Sequence, residues 1–136
     1  MSRDIETRML ELAQQYGRYK ANAYRFTFEA VRFAADRNYL ATMEVRHVTG
    51  GEVLEGIRQL ALSQFGFMAK TVFLEWGVSR TEDFGEIVFQ LVREGILSKT
   101  EQDNLGDFAS GYDFDEVFVR NYDWLDRLSE PRTPRA

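Results

Sequence analysis

The stretch "RHVTGGEVLEGIRQLALSQF", Arg46 to Phe65, decides the fold. Val53, Leu54, Ile57, Leu60, Ala61 and Phe65 recur at three- and four-residue steps, while Glu52, Glu55, Arg58 and Gln59 take the other side. That spacing predicts an amphipathic helix with a single apolar stripe. Its start is also written in the sequence. Thr49 and Glu52 stand at capping-box spacing, so the threonine hydroxyl can accept from a first-turn amide while the glutamate reaches back to the Thr49 amide. Val48 and Val53 are spaced as a hydrophobic staple around that cap. Gly50 and Gly51 are poor helix formers, which makes the cap more necessary. Just before it stands His47, the only histidine in the chain. Its simplest role there is to anchor the incoming chain through a ring nitrogen; the alternative is a ligand-binding or catalytic group.

Working outward, helical signals dominate. Ile5, Met9, Leu12, Ala13 and Tyr16 keep helical spacing until Gly17 ends it. In "ANAYRFTFEAVRFAADRNY", Tyr24, Phe26 and Phe28 alternate as in a strand. Ala23, Phe26, Ala30 and Ala34 make a longer helical face, and the longer pattern is preferred. "TMEVRHV", residues 42–48, is short and alternating and is expected to be an extended connection. After Gly66, the run Met68, Ala69, Val72, Phe73 and Trp76 predicts a fourth helix closed by Gly77. A fifth follows in "VSRTEDFGEIVFQLVREG", with Thr81 as N-cap, Glu82 and Asp83 at the positive helix start, and Phe84, Ile87, Val88, Leu91 and Val92 inward. Ser98 with Glu101 and Asp113 with Glu116 repeat capping-box spacing, and Phe114, Val117, Phe118 and Leu125 are expected inward. The predicted fold is all-α: one domain over 1–128, of six or seven helices with an extended segment before the third, and a flexible tail over 129–136.

Composition narrows the function classes. The chain has 136 residues, 44% hydrophobic and 14% aromatic, enough for a real core, and no cysteine. Thiol catalysis, zinc thiolate sites and disulfides are therefore excluded. No apolar run is long enough for a signal peptide or a membrane span, so a cytoplasmic protein is expected. Net charge is −5, but unevenly spread. Residues 1–81 carry eleven basic and nine acidic side chains, whereas residues 82–126 carry three and twelve. A solvated acidic surface is one reading of this split; an acidic face for a basic partner is the other.

Templates for chemistry find little. A serine nucleophile lacks its G-x-S-x-G turn, and the lysine and spacing of a phosphate loop are missing around Gly50 and Gly51. A single histidine cannot supply paired Glu-x-x-His motifs for a di-iron bundle. Frames for a calcium loop beginning at Asp103 or Asp107 put Leu105 or Ala109 at the third position and Phe114 or Phe118 at the twelfth, so both fail. Asp83 and Glu86 share one side of the fifth helix and could do acid–base work if desolvated, although Thr81, Glu82 and Gly85 look like an exposed helix start. "DFGEIVFQLVREGILSKTEQDNL" has a helix–turn–helix rhythm, but its second element, residues 98–108, carries one lysine against three acids, which disfavours phosphate.

Several longer words, "AYRF" from Ala23, "RHVTGGEVLEGIRQLAL" from Arg46, "QFGFMA" from Gln64, "WGVSRTEDFGEIVFQLVREGIL" from Trp76 and "YDFDEVF" from Tyr112, span most of residues 20–118. With them the chain resembles a family of small uncharacterised bacterial proteins known mainly from planctomycete and verrucomicrobial genomes. The resemblance implies no activity, substrate or cofactor.

The leading expectation is a non-catalytic interaction module whose acidic half meets a protein with a basic surface. A small helical enzyme or small-molecule binder is the alternative, drawing on His47, Glu55, Arg58, Trp76, Asp83 and Glu86. A winged-helix-like nucleic-acid-associated regulator is the third reading. No cofactor or metal is expected, and enzymatic activity and oligomeric state are left open.

Overall fold

The computed structural model describes residues 2–44, 48–97, 108–109 and 111–120. They form five α-helices and no strand: α1 (Ser2–Tyr16), α2 (Ala21–Thr42), α3 (Gly50–Phe65), α4 (Ala69–Glu75) and α5 (Thr81–Arg93). The helix expected after Ser98, Leu125 and the 129–136 tail lie outside the described residues.

The predicted stripes are the ones that pack. On α2, Ala23, Phe26, Ala30 and Ala34 are all buried, so the helical face prevails over the Tyr24–Phe28 alternation. The α3 cap forms as its spacing requires. Glu52 N–H donates to Thr49 Oγ1 at 3.1 Å, and Thr49 N–H donates to Glu52 Oε1 at 2.9 Å. Small residues let α3 lie close on α2. A Cβ on Gly56 would stand 3.2 Å from the Ala30 carbonyl oxygen and 3.3 Å from Ala34 Cβ.

Three local expectations fail. The connection before α3 is not extended throughout: α2 runs on through Thr42, and Met43 closes it in the left-handed region at φ 60°. Met68 is 44% exposed rather than inward. Gly66, at φ 56°, breaks the helix, and Gly66–Met68 forms a 3₁₀ turn that swings Met68 out before α4 begins. Thr81 does not cap α5. Arg80 is the N-cap residue, and the Thr81 hydroxyl instead donates to the Phe108 carbonyl at 2.5 Å and accepts from Gly111 N–H at 3.1 Å.

That hydroxyl ties down Phe108 and Gly111, and Tyr112 leads into a helical stretch in which Glu116–Arg120 is π-helical. Asp113 starts the turn by accepting the amides of Asp115 at 2.7 Å and Glu116 at 3.1 Å. The segment closes an aromatic core centred on Phe73. The Phe73 ring lies 5.4 Å from Phe26, 5.1 Å from Phe84, 5.4 Å from Phe114 and 5.6 Å from Phe118, centroid to centroid. Contacts in this range, most of them tilted or edge-on, add to the burial energy of the rings.

Candidate functional site

Two chain reversals meet at a buried carboxylate, that of Asp83. α1 stops at Gly17, whose φ of 65° suits only the left-handed region, and Gly77 does the same after α4 at φ 90°. The reversals are seated backbone to backbone. Lys20 N–H donates to the Trp76 carbonyl at 3.1 Å, and a Cβ on Gly77 would lie 2.4 Å from the Arg18 carbonyl oxygen. Only glycine fits at that contact.

Asp83, in the first turn of α5, joins both reversals. Its side chain is 2% exposed. Oδ1 accepts from Arg18 Nη2 at 2.9 Å and from the Tyr19 hydroxyl at 2.8 Å. Oδ2 accepts from the Ser79 amide at 2.8 Å, the Ser79 hydroxyl at 3.3 Å and the Arg80 amide at 3.3 Å. A carboxylate has about four lone-pair sites, and five donors use them up. The exposed helix start expected around Asp83 is therefore wrong. Its carboxylate faces inward because it shares the buried side of α5 with Phe84, Ile87 and Val88.

Glu86, one turn on, faces the same tyrosine. The Tyr19 hydroxyl lies 2.8 Å from Glu86 Oε1, and Arg18 Nη1 lies 3.5 Å from the same oxygen. The phenol has one proton for two carboxylates, so it donates to one of them at a time. Burial, with both carboxylates beside it, pushes Tyr19 far above the usual tyrosine range. It stays a proton donor at neutral pH and cannot act there as a base or nucleophile. Tyr24 packs edge-on against it at 6.3 Å, donates to Gln90 Oε1, and is pushed up to about 12 by burial and then by the Glu86 charge.

The other candidates fall elsewhere. Trp76 contributes its carbonyl to the reversal, but its ring joins the aromatic core, 5.6 Å from Phe26 and 5.7 Å from Phe65. Glu55 and Arg58 form a two-point ion pair on α3, with Arg58 Nε 3.0 Å from Glu55 Oε1 and Nη2 2.5 Å from Oε2. The Arg58 bond is the main cause holding Glu55 below the usual glutamate range, assisted by Gln59. Tyr112 covers this part of α3 by donating to the Leu54 carbonyl at 2.7 Å. His47, Asp103 and Asp107 lie outside the described residues. Trp76, Asp83 and Glu86 are thus brought to one reversal, and Glu55 with Arg58 forms a separate pair.

Sequence reasoning missed Tyr19 and Gln90 altogether and met Tyr24 only in the strand-like alternation of α2. It also treated the charge split as surface. Four acids of the 82–126 segment instead sit within 4.0 Å of cations from the first 81 residues: Asp83 and Glu86 at Arg18, Glu94 at Arg8, and Asp115 at Lys70. Apart from that of buried Asp83, these are exposed pairs, worth little individually, but they take up acidity that a partner would otherwise meet.

Chemically, the Asp83 cluster is a closed scaffold. A general base needs a free lone pair within reach of a substrate proton, and the Arg18, Ser79 and Arg80 donors occupy those of Asp83 whichever carboxylate the Tyr19 hydroxyl faces. Among the described residues, no three His, Asp or Glu side chains gather as a metal cage, and no helix is long and apolar enough to cross a membrane. No protein-family model, curated protein or solved structure matches the chain.

Proposed function

We propose that this chain is a non-catalytic protein-interaction domain. The observation that carries the reading is the outward apolar end of α2, where Leu40 is 75% exposed, Met43 69% and Tyr39 43%. Large apolar side chains left together in water mark contact sites more often than ornament. The saturation of Asp83 supports the non-catalytic half of the reading. The partner is a protein with a basic surface around an apolar contact. Asp36 and Glu44 flank the exposed turn, with Arg37 beside Asp36, and the net charge of −5 disfavours duplex nucleic acid. A cytoplasmic location and membership of the small bacterial family described above go with this reading, supported by the sequence alone.

The test places a photo-crosslinking residue at position 40 in native cells, identifies the adduct, and measures its association with the purified chain. A discrete partner should bind more slowly as salt rises and lose affinity with Leu40→Lys/Met43→Lys, whose helical circular dichroism stays that of the parent. Binding untouched by the double substitution would overturn the reading. So would turnover of a small molecule that Glu86→Gln abolishes.

A further inference from the structure

A cleft of about 500 Å³ opens between the start of α4, the α4–α5 loop and the 112–115 segment. That volume lies in the range of small-ligand pockets. Tyr112 and Phe114 supply an aromatic lining, Ser79 and Arg80 form one rim, and Lys70 with Asp115 forms another.

The charges on these rims are not equivalent. Lys70 Nζ is engaged by Asp115 Oδ1 at 3.0 Å, and Arg120 adds a second cation 3.4 Å from Oδ2 of the same carboxylate. Arg80 differs. Arg8, Arg18, Lys20, Arg25, Arg58, Lys70 and Arg120 have ion-pair partners, and Arg32, Arg37 and Arg93 lie over aromatic rings. Among the described residues, the Arg80 guanidinium has neither kind of partner, although its backbone amide is fixed by Asp83. Its donors are preorganised at the root and unspent at the tip. The α5 start offers little competition as an anion site, because Asp83 already takes the Ser79 and Arg80 amides.

We propose that this cleft binds a carboxylate carried on an apolar or aromatic body, with Arg80 holding the carboxylate. Arginine suits this role because its planar fork matches a carboxylate at two points. A single free positive charge selects a monoanion. A phosphate dianion would meet Asp113 and Asp115 on the same lining with only Arg80 uncommitted. The aromatic lining selects an apolar body beside the charge. The inference stands apart from the docking role of α2, since it uses none of the same residues. Two sources share the chemistry: a free aryl or alkyl carboxylate, and the C-terminal residue of a peptide.

The test is an amide-resolved NMR titration of the full chain with 3-phenylpropionate, acetyl-Gly-Gly-Phe with a free terminus, the same peptide as its terminal amide, and inorganic phosphate. 3-Phenylpropionate or the free-terminus peptide should shift Ser79, Arg80, Tyr112 and Asp113 saturably, with a Kd of about a millimolar. Tighter binding of the peptide identifies a chain terminus as the source, and tighter binding of 3-phenylpropionate identifies a small molecule. The terminal amide and phosphate should leave those signals in place. Arg80→Gln keeps the backbone amide and the fold, which the remaining spectrum reports, and should weaken binding about tenfold or more. No saturable shift from either carboxylate would overturn the proposal. Phosphate binding as well as the carboxylates, or Arg80→Gln binding like the parent, would do the same.

Discussion

Replacing Asp83 by alanine removes the one acceptor shared by five donors from two chain reversals. The losses are unequal. Arg18 is 52% exposed and can turn to Glu86 or to water, and Tyr19 keeps Glu86 as an acceptor. The Ser79 and Arg80 amides lose their carboxylate at the helix start, a capping loss of about 1 kcal/mol. Taking away a buried acceptor that receives charge-assisted bonds adds about 1–2 kcal/mol more. The expected total is about 2–3 kcal/mol, or roughly a 10 °C fall in Tm for a domain of this length. Asp83→Asn should fare little better, because its NH₂ group must face one of the two sets of donors. Urea melts followed by far-ultraviolet circular dichroism measure both variants, and Glu86→Gln, at a half-exposed position, should lose under about 1 kcal/mol. An Asp83→Ala protein within about 0.5 kcal/mol of the parent, or more stable than it, would refute the scaffold argument. It would mark Asp83 as a strained group kept for function.

The two reversal glycines should separate cleanly in the same melts. Gly77→Ala, at positive φ with its Cβ driven against the Arg18 carbonyl, should cost at least about 3 kcal/mol, whereas Gly17→Ala, which meets open space, should cost about 1 kcal/mol. Thr49→Ala should cost about 1 kcal/mol by removing the acceptor half of the α3 capping box, read as a shift of the urea midpoint at constant slope. Above neutrality, Tyr24 binds its proton more tightly in the folded chain than in the unfolded one, since its value rises from 10.0 to about 12. Its contribution to stability is therefore complete below about pH 10 and is lost as pH climbs through about 12. The tyrosinate absorbance near 295 nm that Tyr24→Phe removes should therefore appear only near pH 12 while the helix signal persists, and its appearance near pH 10 in the folded chain would contradict this.

What the sequence made legible was local. The α3 stripe and its Thr49–Glu52 box lie within a few residues of one another, so period and spacing were enough. The same holds for the buried face of α5 and for the stop signals at Gly17 and Gly77. Thr81 and Asp83 were misread because both have ordinary local roles at a helix start. Their partners, Phe108 and Gly111 for one, Arg18 and Tyr19 for the other, lie 27 to 65 residues away. One signal was within reach. Asp83 stands four residues before Ile87 and beside Phe84, which puts it on the apolar side of its own helix. Tyr19 gave no such sign, because it falls in a turn between two helices, where periodicity carries no information.

The aromatic core has a consequence for how the chain comes to be made. The rings around Phe73 arrive from α2, α4, α5 and the 114–118 turn, so Phe114 and Phe118 leave the ribosome after all the rings they pack against. Until then Phe26, Phe73 and Phe84 face a missing wall. Domains generally fold as units, and exposed apolar surface in a partial chain attracts chaperones or other partial chains. A chain cut short before Phe114 should therefore be a client of quality control rather than a smaller version of this protein, and slow synthesis beyond α5 would lengthen the interval of risk.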